Sequence, residues 1–175
     1  MTPGGRGTPL TRPWARYHAV PDIPVGRLVD EGVRLVLLDR DNTCVPGDAE
    51  HAPAEVAAWF DHARAAGLAL CLVSNNFHGT RVAASAAELG VRKVDHAMKP
   101  APFALWAACR AMGVPPEQTV LVGDQVFTDV MAANLAGVRP ILVDPQSTEE
   151  LWYTRIFRLF ERAASGDPAY TAERP

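Results

Sequence analysis

Short runs of aliphatic residues alternate along the chain with longer segments in which apolar positions recur every three or four residues. The aliphatic runs are typical of strands buried on both faces, and they predict strands at 33–38, 68–73, 93–97, 119–122 and 139–143. The periodic segments, most of which end at a glycine, predict helices at 53–66, 80–89, 102–112, 129–136 and 148–164. This alternation indicates an α/β fold, with a Rossmann-like parallel sheet that carries helices on both faces.

The two ends of the chain lack this alternating pattern. Prolines and glycines are frequent in residues 1–24, which we predict to be a loose arm whose Trp14 and Tyr17 dock onto the body. Residues 25–164 are then the single predicted domain, and residues 165–175 a flexible tail. Since no apolar stretch has the length of a signal peptide or a membrane span, we expect a cytoplasmic protein.

Composition excludes several classes of function. The chain has 175 residues, of which 48% are hydrophobic, as expected of one globular domain. Its net charge of −3 provides no general attraction to nucleic acid, so no nucleic-acid partner is expected. Cys44, Cys71 and Cys109 are scattered and odd in number, which argues against a disulfide framework or a zinc site and fits a reducing compartment.

Polar side chains follow four of the predicted strands directly. They are Asp39 and Asp41, Ser74 and Asn75, Lys99, and Asp124. The carboxyl ends of parallel strands meet at one edge of a sheet, where α/β proteins bind their ligands. Asp39 and Asp41 are two positions apart on an extended segment and therefore face the same way. Two carboxylates this close repel each other, so they need a cation or divided roles.

The residue types at these strand ends favour phosphoryl transfer. Asp39 and Asp124 could hold Mg²⁺, a hard ion that prefers oxygen ligands. Lys99 and the Ser74 hydroxyl, with nearby backbone amides, would bind an anionic group rich in oxygen. A metal ion, a lysine, a hydroxyl donor and a carboxylate nucleophile are together suited to that reaction.

Four motifs occur in order along the chain: Asp-Arg-Asp-Asn-Thr at 39–43, Ser74, Lys99-Pro100, and Gly123-Asp124 with Asp129. This set resembles the haloacid dehalogenase (HAD) superfamily of phosphohydrolases. The resemblance implies that Asp39 attacks phosphorus and forms an aspartyl-phosphate. It also implies that Asp41 protonates the leaving alkoxide and later deprotonates water, a form of general acid–base catalysis.

The same resemblance implies roles for the remaining motif residues. Mg²⁺ would be held by the Asp39 carboxylate, the backbone carbonyl of Asp41 and the Asp124 carboxylate. Asp129 would orient the water shell of the metal, or merely stabilise the first turn of a helix. Phosphate would bind to Ser74, Asn75 and Lys99, although Asn75 could instead shape its loop. Thr43 is expected to support the loop by hydrogen bonding.

Finer features narrow the family and the expected substrate. An acid at Asp41 is the choice of phosphatases and phosphomutases, and the short segments at 43–74 and 76–99 leave no room for a cap domain. The Ser-Asn-Asn triplet at 74–76, the segment 123–129 and the basic Arg40 between the aspartates resemble the YqeG-type, subclass IIIA members. A relative of that group, the mitochondrial phosphatidylglycerophosphate phosphatase, implies phosphatidylglycerophosphate or a similar large ester as substrate.

Two other functions stay open at this point. The chain could hydrolyse a soluble sugar or nucleotide phosphate, or it could be a regulatory module that binds phosphate and Mg²⁺ with little turnover. The predicted helix at 148–164 has arginines beside an apolar stripe. It would either make a peripheral contact with the inner face of the membrane or pack on the sheet as an ordinary amphipathic helix. Trp59 and Trp106 lie on helical stripes and are expected in the core.

Overall fold

The computed structural model describes residues 9–47, 49–75, 79–94, 96–146 and 171. The strands are β1 (Ala15–Tyr17), β2 (Leu35–Leu38), β3 (Ala69–Val73), β4 (Arg92–Val94), β5 (Thr119–Gly123) and β6 (Arg139–Val143). The α-helices are α1 (Val25–Asp30), α2 (Ala54–Ala65), α3 (Gly79–Glu88), α4 (Phe103–Met112) and α5 (Met131–Ala136). A π-helical turn at Val126–Val130 leads into α5, and short 3₁₀ turns lie at Val20–Asp22 and Pro116–Gln118.

The strands of the described residues form one parallel sheet of six strands in the order β1-β6-β5-β2-β3-β4. β2 lies between β3 and β5, with Leu35 opposite both Ala69 and Thr119. Because all strands run the same way, the residues that follow β2, β3 and β5 lie at one edge of the sheet. The predicted α/β fold with a Rossmann-like parallel sheet is therefore confirmed.

Each face of the sheet has its own apolar core. Val36 and Leu38 belong to a buried cluster with residues of α1 and α2, whereas Leu35 and Leu37 belong to a second cluster with residues of α4 and α5. Neighbouring residues of a strand point to opposite faces. The uninterrupted aliphatic run of β2 is thus explained by helices on both sides, and burial of each such side chain contributes about 1.5–3 kcal/mol.

The first part of the chain corrects one prediction. Residues 1–24 were expected to be a loose arm, but their described part contributes β1, which pairs with β6 at the edge of the sheet. Tyr17 is buried and Trp14 packs against the core, so the predicted docking of both is found. The prolines permit this because Pro13 precedes the strand and Pro21 and Pro24 follow it, where no ladder donor is lost.

The segments between the central strands are short. One helix, α2, connects β2 to β3, and one helix, α3, precedes β4, so the described residues include no cap domain. Within the described ranges, no helix is both long and apolar enough to cross a membrane. The predicted helix at 148–164 lies outside the described residues, as does the predicted tail except for Thr171, which exchanges two hydrogen bonds with Arg16 of β1.

Two expectations about core residues have different outcomes. Trp59 is buried in α2, where its Nε1 donates to the carbonyl of Ile23 at 2.8 Å. Trp106 is 40% exposed, so its expected core position is wrong. The ring instead lies at the surface of α4, with its Nε1 donating to the carbonyl of Ala136 and its edge against Phe103. The three cysteines are buried and free, as expected without a disulfide framework.

Candidate active site

A small cavity opens at the edge of the sheet where β2, β3 and β5 end. Its volume is about 100 Å³, and its lining includes Asp39, Asp41, Ser74, Asn75, Lys99, Gln125, Thr128 and Asp129. The backbone N–H of Asp39 donates to the carbonyl of Val122 at 2.8 Å, which fixes the end of β2 against β5. Side chains predicted from four separate strand ends therefore converge in one place, as parallel topology requires.

Lys99 is the cation at the centre of this cavity. Its Nζ donates to Asp39 Oδ1 at 2.7 Å, to Asp129 Oδ1 at 2.5 Å and to the carbonyl of Val73 at 3.2 Å. These three acceptors use all three N–H bonds of the ammonium group. Burial alone lowers the pKa of Lys99, but the charges of Asp129 and Asp39 outweigh it and raise the pKa. Lys99 is therefore held as a buried ammonium ion.

Three buried carboxylates surround that single cation. An oxygen from each of Asp39, Asp124 and Asp129 lies within 4.8 Å of the others. Burial raises the pKa of Asp39 to about 7, against the opposing effect of Lys99. Burial, with Asp129 and Asp39 nearby, raises the pKa of Asp124 well above its usual range. With all three carboxyl groups ionised, this oxygen-only cluster would carry more negative charge than Lys99 offsets, and its donor set fits a hard divalent cation.

Asp129 reaches this cluster because of the π-helical turn that precedes α5. Its Oδ2 accepts from the backbone N–H of Gln125 at 3.1 Å, while its own N–H donates to the Gln125 carbonyl at 2.9 Å. The carboxyl group lies directly against Gly123, where an added Cβ would be 2.3 Å from Asp129 Cγ. From the sequence, Asp129 was expected to orient the water shell of the metal or to stabilise the first turn of a helix. The structure adds an ion pair with Lys99 and a place in the carboxylate cluster.

Three predicted residues support the cavity through the backbone or through neighbours. Asn75 accepts from the N–H of Lys99 at 2.8 Å and donates to its carbonyl at 3.0 Å. Of the two roles left open for Asn75, this geometry favours shaping the loop. Thr43 Oγ1 donates to Asp124 Oδ1 at 3.3 Å, so Thr43 orients a carboxylate of the cluster. Ser74 is buried, and its backbone N–H donates to the carbonyl of Val94.

The loop after β2 presents Asp41 beside Asp39. Asn42 adopts a left-handed conformation with φ 58°, which asparagine tolerates better than most residues. The N–H groups of Cys44 and Val45 both donate to the carbonyl of Arg40 and close the loop. The side chain of Arg40 is buried and pairs with the Asp41 carboxylate. Sequence reasoning treats Arg40 only as a family feature and does not predict this contact.

Gln125 and Thr128 line the cavity although sequence reasoning does not select them. Gln125 follows Asp124 directly, so its position just after the end of a strand could have predicted that it lines the cavity. Thr128 carries no such signal, because its position depends on the π-helical turn. Thr128 Oγ1 and Gln125 Oε1 lie 3.2 Å apart in a hydrogen bond that joins the two side chains.

Comparison with known proteins extends these observations. The HAD-hydrolase-like family model matches residues 96–161. The probable phosphatase YqeG of Bacillus subtilis is 33% identical over 146 residues, which are 83% of this chain and 82% of that protein.

Solved structures share the fold at low sequence identity. A putative HAD family hydrolase from Streptomyces avermitilis has a TM-score of 0.54 at 20% identity, over 77% of this chain and 74% of that one. The cobalt-bound deoxy-D-mannose-octulosonate 8-phosphate phosphatase of Haemophilus influenzae has a TM-score of 0.51 at 17% identity, over 77% and 88% of the two chains.

Proposed function

Since this chain belongs to the YqeG-like phosphatases of the HAD superfamily, we propose that it is a magnesium-dependent phosphatase that works through an aspartyl-phosphate on Asp39. One observation carries the proposal. The Asp39 carboxylate is buried at the end of the central strand, with one oxygen bonded to the Lys99 ammonium and with Asp41 lining the same cavity. A nucleophile, a cation and an acid–base group are thus within one small space.

The first chemical step transfers the phosphoryl group to Asp39. An Asp39 oxygen attacks phosphorus as the bond from phosphorus to the leaving oxygen breaks, and Asp41 gives its proton to that oxygen. Lys99 holds the nucleophile in place, and its charge also offsets the negative charge of the phosphoryl oxygens. In the second step water attacks phosphorus, Asp41 takes a proton from it, and Asp39 is released with inorganic phosphate.

The carboxylate cluster is the proposed site for Mg²⁺. Asp39 and Asp124 would hold the ion with the backbone carbonyl of Asp41, and Asp129 would orient its waters. When bound, the ion supplies positive charge that stabilises the phosphoryl oxygens in the transition state. Support for this placement comes from the charge of the site, in which three buried carboxylates face one ammonium group.

We further propose phosphatidylglycerophosphate, or a similarly large phosphomonoester, as the substrate. The described residues contain no cap domain that would enclose a small metabolite. Met98, directly before Lys99, and Phe103, at the start of α4, are 66% and 64% exposed. Apolar side chains at this edge are suited to contact acyl chains. The cytoplasmic location and the peripheral membrane contact through residues 148–164 stay predictions.

A substrate panel tests this proposal. We expect kcat/KM for phosphatidylglycerophosphate in mixed micelles to exceed that for glycerol 3-phosphate by about tenfold or more, as apolar contacts at the rim permit. EDTA should stop phosphate release, and added Mg²⁺ should restore it. The double variant Met98→Ser/Phe103→Ser provides the matched control, because it should lose activity on micelles and keep activity on the soluble ester.

The other outcomes of the panel discriminate between the remaining functions. Equal or higher activity on soluble sugar or nucleotide phosphates would contradict the lipid substrate and favour a phosphatase for soluble esters. Release of phosphate from none of the substrates in the presence of Mg²⁺ would contradict the phosphatase proposal. Binding of phosphate and Mg²⁺ without turnover would then favour a regulatory module.

A further inference from the structure

We propose that Arg40 is a positioning residue that holds the carboxylate of Asp41 in place for proton transfer. Arg40 Nη1 donates to Asp41 Oδ1 at 2.5 Å, and Arg40 Nε donates to Ser85 Oγ of α3 at 2.8 Å. The guanidinium therefore connects the acid–base residue to a helix of the scaffold. This inference rests on the proposed function, since it concerns the reaction in which Asp41 moves the proton.

The burial of Arg40 makes this contact specific. Only 1% of its surface is exposed, and it is among the largest fully buried side chains of the described residues. A buried guanidinium is costly unless its charge is paired and its donors are bonded. Asp41 supplies the opposite charge and Ser85, itself buried, supplies a second acceptor. The rigid fork of arginine can satisfy both partners at once, which the single ammonium of lysine does less well.

The position of Arg40 separates it from the phosphate. The residues that line the cavity at the strand ends include Asp41 but not, among those described, Arg40. Arg40 lines a different cleft, of about 590 Å³, between residues 50–51 and the length of α3 from Thr80 to Glu88. Arg40 therefore supports Asp41 from the side of this cleft, while Asp41 lines the strand-end cavity in which the reaction would occur. This arrangement indicates an effect through Asp41 rather than a direct contact with substrate.

Asp41 requires such support because packing alone does not fix it. Its side chain is 36% exposed, whereas that of Arg40 is 2% exposed. A partly exposed carboxylate samples several rotamers, and holding it in one of them costs side-chain entropy. Proton transfer requires heavy atoms within hydrogen-bond reach, about 2.6–3.2 Å. A displacement of about 1 Å can reduce a rate about 10²-fold. An anchored partner reduces the population of misplaced rotamers.

The test compares two substrates whose leaving groups differ in their need for an acid. Nitrophenolate leaves without a proton, whereas the alkoxide of glycerol 3-phosphate needs one. For Arg40→Met we expect kcat/KM to fall about 10²-fold with glycerol 3-phosphate and about threefold or less with p-nitrophenyl phosphate, as loss of general-acid catalysis would produce. The parameter kcat/KM excludes later hydrolysis of the aspartyl-phosphate, in which Asp41 acts on both substrates alike.

Three further variants make the result specific. Asp41→Asn should show the same dependence on the leaving group, and Arg40→Met should add little to it in the double variant. Arg40→Lys should recover part of the activity with glycerol 3-phosphate. Arg64→Met is the matched control, because Arg64 also joins two elements through the carbonyls of Leu89 and Gly90 but has no contact with Asp41. It should affect both substrates equally.

Two failures can be told apart. Equal loss with both substrates in Arg40→Met would overturn the positioning role while leaving the phosphatase proposal intact. Failure of the unaltered protein to hydrolyse these two esters and phosphatidylglycerophosphate in the presence of Mg²⁺ would overturn the phosphatase proposal and, with it, this inference. Should Arg40→Met fail to fold, Arg40→Lys and Ser85→Ala test the same selectivity, and uniform loss in both would again overturn the role.

Discussion

Charged groups lie beside buried ones both in the strand-end cavity and at the β1 edge of the sheet, but the two regions differ in what balances those charges. In the cavity, one ammonium ion faces three buried carboxyl groups, whose full ionisation would leave negative charge in excess. At the β1 edge, the guanidinium groups of Arg27 and Arg139 lie over the Trp14 ring, at 5.0 and 4.8 Å from its centroid. Arg27 also donates to the Tyr17 hydroxyl at 2.7 Å.

This difference separates the groups of the proposed active site from groups that stabilise the fold. Cations over an aromatic face contribute about 0.5–1 kcal/mol each at partly exposed sites. Buried carboxylates close together destabilise the protein until a cation binds. Removal of a carboxylate from the cavity should therefore reduce activity without reducing stability. Changes at the β1 edge should do the opposite, and the predictions below test both halves of this contrast.

The largest expected effect is that of Asp39→Asn. Loss of the nucleophile should reduce kcat for p-nitrophenyl phosphate by about 10⁴-fold or more, which is about 5.5 kcal/mol of transition-state stabilisation. The melting temperature should stay equal or rise, because the change removes one of three crowded negative charges. Steady-state kinetics and thermal unfolding on the same preparation measure both effects. Retained turnover would contradict the role of Asp39, and a markedly lower melting temperature would contradict the contrast.

Gly123→Ala should have the next largest effect. The added Cβ would be 2.3–2.5 Å from carboxyl and Cβ atoms of Asp129, so either β5 or the π-helical turn must move. We expect a loss of about 3 kcal/mol in the free energy of unfolding, at the upper end for overpacked sites. Chemical denaturation measures it.

Gly26→Ala is the control for that measurement. Gly26 lies in α1 with nothing within 4 Å of an added Cβ. Alanine in a helix interior is favoured over glycine by about 0.5–1 kcal/mol, so this variant should be slightly more stable. Equal stability of the Gly123 variant and the original protein would mean that Asp129 does not lie as close to β5 as the structure shows.

Much of the fold could be predicted because its signals are local. The aliphatic run of β2 and the glycines that end α4 and α5 are visible in the residues themselves. β1 was not predictable in this way, since it has three residues and is extended only because it pairs with β6, far along the chain. Edge strands this short have little propensity signal, and a distant partner determines whether they form.

The candidate site shows the same limit. That Asp39, Ser74, Lys99 and Asp124 converge follows from parallel topology alone, and the structure brings them together at one edge of the sheet. The contact of Asp129 with Lys99 depends on one extra residue in a helical turn, which periodicity does not reveal. From the sequence, Arg40 was only a family feature between two acids, whereas in the structure it is buried and its Nε donates to the Ser85 hydroxyl of a later helix. Such long-range pairings carry no local pattern.

At the β1 edge, Trp14→Ala should reduce stability and leave catalysis unchanged. The ring is only partly buried, but it packs against the core and contacts two guanidinium groups. We expect the free energy of unfolding to fall by about 2 kcal/mol, below the range for fully buried tryptophan. Chemical denaturation measures it, and kcat/KM for p-nitrophenyl phosphate should not change. Trp14→Phe, which keeps an aromatic face, should lose about half as much.

The smallest expected effect is stabilisation by Mg²⁺, and it sharpens the contrast most directly. An ion that binds only the folded protein, when present at a concentration ten times its Kd, adds about 1.4 kcal/mol to the free energy of unfolding. The melting temperature of the original protein should therefore rise with Mg²⁺. Trp14→Ala should show the same rise from a lower starting point, because its change lies outside the carboxylate cluster. Asp124→Asn should show little or none, because one proposed ligand is lost. Equal rises in all three proteins would mean that Mg²⁺ binds elsewhere, and the excess negative charge of the cavity would then need another explanation.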